Sequence, residues 1–272
     1  MDIKRITSAL LGFPLVVIIL TFGNKYVVDI FLACIAMLGM QEYFNAVSKE
    51  AKPVRWLGYI TCTFIALVHI VPDNLNIQIQ NEILMLIIPI MMLILFLSII
   101  ITNMKTNFRD IAYTLFGIIY VIGCIIFLAL LRGMENGRIL IWYAIIAAWG
   151  TDIFAYLVGK RFGKHKFSEV SPKKSIEGCI AGVIGSVAIA TLYTFAIGKI
   201  FSIQYSYLLV ILVTSILSII GQVGDFAASS IKRYVNIKDY SNLIPGHGGM
   251  LDRIDSLMFL APFAYVIFLI AL

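Results

Sequence analysis

The sequence predicts an all-α fold, a polytopic integral membrane helical bundle with about nine transmembrane helices. Three observations carry this. First, the chain is 61% hydrophobic and 13% charged, with a mean hydropathy of +0.96. Soluble domains lie nearer ~45–50% apolar and ~25% charged. Second, apolar runs close to the ~20 residues that cross a bilayer recur along the whole chain. Third, 17 of the 21 lysines and arginines fall on one side of those runs. The positive-inside rule makes that side cytoplasmic. The N-terminus is then cytoplasmic and the C-terminus outside, as an odd number of spans requires. Helix count and charge asymmetry are read independently, and they agree. The net charge of +6 therefore reports loop topology and gives no reason to expect nucleic acid as a partner.

The first span, 7–22, follows Lys4 and Arg5 and resembles a signal peptide. No small-x-small cleavage site precedes Lys25, so it is kept as a helix. The second, 27–46, carries Glu42 near its cytoplasmic end. The third, fourth and fifth are 56–72, 83–102 and 111–131; the first and third spans are short and can tilt little or sit partly in the interface. Asp29 and Asp110 lie near helix ends, where they are expected to reach water. The sixth span, 139–158, contains Asp152 in AAWGTDIFAYLVG. The seventh is 176–198. The eighth, 205–230, contains Asp225, and the ninth, 251–272, opens with Asp252 and Asp255. Cys34, Cys62, Cys124 and Cys179 stand singly in apolar runs and read as small buried residues. Ten of the cytoplasmic cations concentrate in two loops, 159–175 and 231–253.

Acids inside spans are the first candidates for chemistry. A mid-membrane charge costs about 2.5–3.5 kcal/mol on insertion scales, so it faces a polar cavity. Gln222, Asp225, Ser229 and Lys232 recur at helical spacing and form one stripe. The turn PGHGGMLDRID adds glycines whose backbone N–H groups can approach an anion, with a helix start behind them. Asp252 and Asp255 share one face of that helix, and carboxylate oxygens beside phosphate binders suit a hard cation such as Mg²⁺. Known soluble motifs fail: GKRFGKH has three residues between its glycines where a P-loop has four, and GxGxxG, HExxH and GxSxG are absent. His69 reads as structural and His165 as solvated. The residues outline a cytoplasm-facing polar cavity with acids for a metal and bases for phosphates. That fits an enzyme joining a nucleotide to a lipid, and also a transporter of phosphorylated solutes.

The stretch SSIKRYVNIKDYSNLIPGHGGMLDRID, Ser229 to Asp255, resembles the signature of the CDP-diacylglycerol synthases (phosphatidate cytidylyltransferases). That signature is Ser, two residues, Lys-Arg, four residues, Lys-Asp, a hydrophobic-Pro-Gly-His-Gly-Gly segment, and Asp-Arg-x-Asp. DIFAYLVGKRFGK and SPKKSIEG upstream are similar to the family as well. The resemblance implies a nucleotidyltransferase of phospholipid biosynthesis. It would convert phosphatidate and CTP into CDP-diacylglycerol and pyrophosphate with Mg²⁺, and a second cation such as K⁺ is implied. The lipid's phosphate monoester has a second pKa of about 6 and needs little help from a base. Catalysis must then come from positioning and charge neutralisation.

Position by position, the resemblance implies Asp225, Asp252 and Asp255 as metal ligands and Asp225, Asp252, Lys232 and Lys173 as the catalytic set. Ser171, Lys174, Ser229, Arg233, Lys238, His247, Gly248, Gly249 and Arg253 would bind substrate. Asp152, Glu177 and Gln222 would line the cavity or orient those groups. Residues 1–140 would be scaffold helices with dimer and lipid contacts, and residues 141–272 the catalytic region. A homodimer in the bacterial inner (plasma) membrane, with its catalytic side cytoplasmic, is implied too. A CTP-dependent polyprenol or phytol kinase would transfer the γ-phosphate instead. The non-catalytic transporter would need access from both sides, whereas the charges here open to one.

Overall fold

A computed structural model describes residues 3–68, 70, 77–168, 171, 174–246 and 248–271, and only the backbone at 3–9, 11 and 77–87. His69, Lys173 and His247 lie outside the described residues. Among the described residues the chain is helical, in nine continuous helices without strands. They are α1 (Ile3–Phe22), α2 (Lys25–Val47), α3 (Arg55–Leu67), α4 (Ile77–Ile101), α5 (Phe108–Gly133), α6 (Gly137–Phe162), α7 (Ile176–Phe201), α8 (Tyr207–Tyr234) and α9 (Leu251–Ala271). Six of them, α2 and α5 to α9, are long and apolar enough to cross a membrane. The protein is an all-α polytopic membrane protein.

Local chemistry starts these helices where the sequence changes character. Asn24 caps α2 by accepting from the Val27 amide at 2.9 Å. Asn107 and Asp110 form a reciprocal capping box on α5, satisfying amides that otherwise lack partners. Asp110 also accepts from the Lys52 amide at 2.6 Å and is buried, as is Asp29. Neither acid reaches water as expected, because each sits where its helix end packs against the rest of the bundle. Cys62 and Cys179 are buried, but Cys34 is exposed and Cys124 only partly covered.

Helix ends differ from the hydropathy reading in one consistent way. Helix α6 continues through Lys160 and Arg161, and α8 through Lys232 and Arg233. Cations in a last turn face the negative end of the helix dipole, and their long stems reach out of the apolar layer. The connections that follow α6 and α8 are therefore 163–175 and 235–250.

The core lies where α8 packs against α7 and α9, and α6 against α7. Small residues allow the α6–α7 contact. A Cβ at Gly182 would stand 2.9 Å from the Thr151 carbonyl, and one at Gly185 would overlap the Phe154 ring; such glycines let membrane helices approach closely. Helix α2 packs on α3, α5 and α9, bringing the N-terminal region against the last helix. Two π-helical turns interrupt the spans, Ile118–Ile122 in α5 and Ile146–Gly150 in α6. A π-turn shifts the register of everything after it. The second ends two residues before Asp152, and it is fixed by Thr151, whose hydroxyl donates to the Ala147 carbonyl and meets Ser218 Oγ, both at 2.5 Å.

Candidate active site

Several of the acids and cations flagged in the sequence come together where the C-terminal halves of α6 and α8 meet the start of α9. Lys232, on the last turn of α8, donates to Asp252 Oδ1 at 2.6 Å. Lys174, just before α7, forms an ion pair with Asp225 and lies 4.6 Å over the Phe226 ring. Phe167 stacks on the same ring. Ser256 Oγ donates to Asp152 Oδ2 at 3.1 Å. Asp255 is 6% exposed and lies within Coulombic reach of Asp225, Lys232 and Asp152. Arg253 is exposed beside them. Two buried or half-buried ion pairs thus flank an additional buried acid.

Other candidates make contacts outside the two ion pairs. Glu177 pairs with His165 Nδ1 at 2.6 Å and accepts from the His165 amide, so it organises the 163–175 connection. His165 is exposed, in keeping with the reading of a solvated loop residue. Gln222 donates to the Cys179 carbonyl across to α7. Arg233 donates to the Ile237 carbonyl, and Lys238 is exposed. Ser229 is half-buried on the α8 stripe, and the Ser171 amide donates to Ser168 Oγ.

The start of α9 departs from the expected anion cradle. The Gly249 amide donates to Asp252 Oδ2 at 3.0 Å, and the Tyr240 amide donates to the same oxygen at 2.8 Å. The Met250 and Leu251 amides donate to Glu42 Oε1 and Oε2, at 2.9 and 2.7 Å. Ser241 Oγ donates to Glu42 Oε1 at 2.6 Å. Protein carboxylates therefore satisfy the Gly249, Met250 and Leu251 amides, part of the set that the sequence assigned to a phosphate. Gly249 is a glycine for space instead: a Cβ there would lie 2.6 Å from Glu42 Oε2. Gly248 has φ +86° and supplies the reversal that aims the turn at Asp252. We expect Gly249→Ala to destabilise the protein by about 1–3 kcal/mol through overpacking, read as a lower melting temperature in detergent.

Glu42 is the group that sequence reasoning noticed but gave no task. A buried acid on α2 without a cation at helical spacing needs a partner from elsewhere, and that was the available signal. Tyr240 was not singled out. Burial first, and then the Asp252 and Asp255 carboxylates beside it, hold its phenol above the ordinary range. It stays neutral, under the Lys232 ammonium 5.5 Å from its ring.

Among the described residues no three His, Cys, Asp or Glu side chains converge on a common point. Asp252 gives three of its roughly four lone-pair sites to Lys232, Tyr240 and Gly249. An all-protein cage does not form. A Mg²⁺ held by one or two carboxylates and completed by substrate phosphates does fit this oxygen-rich cluster.

A sequence model described as Cytidylyltransferase family matches residues 3–271. The chain is 32% identical over 260 residues to "Phosphatidate cytidylyltransferase" of Staphylococcus haemolyticus, covering 95% of each chain. It is 32% identical over 264 residues to the protein of that name from Staphylococcus aureus (strain COL), covering 96% of each. The match to the Bacillus subtilis protein of the same name is 38% over 183 residues, 66% of this chain and 65% of that protein. With Lys232 and Asp252 of the signature paired and the match running nearly end to end, this membrane protein belongs to the cytidylyltransferase family of nucleotide-transferring enzymes.

Proposed function

We propose that the chain is a phosphatidate cytidylyltransferase, transferring CMP from CTP to phosphatidate. The observation that carries this is the pairing of Asp225 with Lys174 and of Asp252 with Lys232 beside the buried Asp255. A phosphate oxygen of the lipid attacks the α-phosphorus of CTP. One P–O bond forms, the α–β bridge breaks, and pyrophosphate leaves with the bridging oxygen. Both reactants are anions, so the main barrier is repulsion. Lys174, Lys232 and Arg253 stand where they can neutralise it, and the carboxylates hold these cations in register.

Asp225 and Asp255 are the proposed holders of Mg²⁺, which would supply further neutralisation of the transferring phosphate. A second cation such as K⁺ would draw on the same acids. Lys173, Ser171, Ser229 and His247 remain proposed substrate contacts. The positive-inside asymmetry supports a catalytic side facing the cytoplasm, in a bacterial plasma membrane. The long exposed apolar faces of α4 and α7 suit lipid or the partner of a homodimer.

CTP labelled at the α-phosphate tests the reading. Label is expected in the lipid product, with unlabelled pyrophosphate released. Label reaching lipid only from the γ-position identifies a kinase. Solute movement without pyrophosphate release identifies a transporter.

A further inference from the structure

One cavity leads from this site into the membrane. It encloses about 520 Å³, within the range of roughly 300–1,000 Å³ common for small-molecule sites. Asp152, Asp252 and Arg253 line one end. The remaining described lining is uncharged and mostly apolar, including Phe13, Leu20, Leu128, Ile141 and Trp149. Along α6 the wall runs from Asp152 to Ile141, about 16 Å at ~1.5 Å per residue. The hydrocarbon core of a bilayer is ~30 Å thick, so the cavity is about as deep as one leaflet. Helix α1 closes its outer side, with the Phe13 ring 6.0 Å from that of Trp149. Gly12 leaves a gap in that wall, since nothing lies within 4 Å of a Cβ built there.

We infer that this cavity is a binding site for one fatty acyl chain of the lipid substrate, and that Gly12 and Trp149 set the chain length and branching it accepts. The inference rests on the lipid-substrate reading above. Its polar end coincides with the ion-paired cluster, and its depth matches the tail of a lipid whose head group sits there. A tail leaving the bilayer for an apolar slot gains little from water exclusion, because it was already dry. The slot must therefore select by fit, and fit is what a side chain at Gly12 would change.

The test uses the purified full-length protein in mixed micelles containing dilauroyl, dipalmitoyl and branched diphytanoyl phosphatidate together, with CTP and Mg²⁺. Products are counted by mass spectrometry. Gly12→Phe is expected to lower the long-to-short product ratio about tenfold, with the KM for CTP unchanged. Trp149→Ala widens the slot and is expected to raise the branched share. If one variant fails to fold, the ratio from the other decides. Unchanged ratios at retained turnover overturn the slot while leaving the cytidylyltransferase reading intact. If the unmodified protein forms no CDP-lipid from any of the three, the function reading fails first and the slot with it.

Discussion

Asp225→Asn is expected to lower pyrophosphate release by about 10²- to 10³-fold while leaving the protein folded. Asp225 and Lys174 are each about a fifth exposed, at 23% and 21%. Lys174 comes from a surface connection and can rehydrate when its partner loses charge. The stability cost should then be about 1 kcal/mol or less, as for accessible pairs. Catalysis is less forgiving. The variant loses the fixed negative charge that orients Lys174 and that would hold Mg²⁺, with no change in volume. Turnover measured beside a thermal melt checks this, and near-normal turnover refutes the assignment of Asp225. Asp252→Asn should behave differently. Its carboxylate is 3% exposed, and its partner Lys232 would be left buried. Breaking such a pair costs about 3–5 kcal/mol, so activity and stability should fall together.

Glu42→Ala is the second large effect. The truncation strands Ser241 Oγ and the Met250 and Leu251 amides. A buried donor without a partner costs about 1–3 kcal/mol. A melting-temperature drop on the order of 10 °C is expected. The start of α9 should shift as well, taking Asp252 and Asp255 with it, and displacements near 1 Å can cost about 10²-fold in rate. Glu42→Gln keeps one carbonyl oxygen and should restore part of both. The deciding readout is kcat per folded molecule. A purely structural role would reduce the folded fraction and leave that quantity unchanged, whereas a positioning role lowers it.

The bundle was legible because hydropathy is averaged over many residues and forgives local detail. Nine apolar runs map onto nine helices, and the charge stripe on α8 faces the elements it needs. What escaped the sequence is what depends on pairs remote in the chain. Glu42 meets Met250 and Leu251 across some two hundred positions, and no spacing rule links them. The glycines of the HGG turn have two physical explanations, anion approach and crowding. Only the position of Glu42 favours crowding at Gly249. The π-turn before Asp152 leaves no mark in composition, because Ile146 to Gly150 reads as ordinary apolar helix. Lys232 and Arg233 looked like loop residues because charge was taken to end a span, although cations favour a last helical turn.

The Glu42 clasp has a consequence for biogenesis. Its two halves lie some two hundred residues apart, and because synthesis runs from the N-terminus α2 is made long before α9. Until α9 has been inserted, Glu42 has no amides to receive and the catalytic acids have no frame. A nascent chain stalled before α9 would carry Lys232 without Asp252, the carboxylate that pairs with it. The site can therefore order only after α9 is in place, and a chain clipped ahead of α9 should be inactive even where its earlier helices insert.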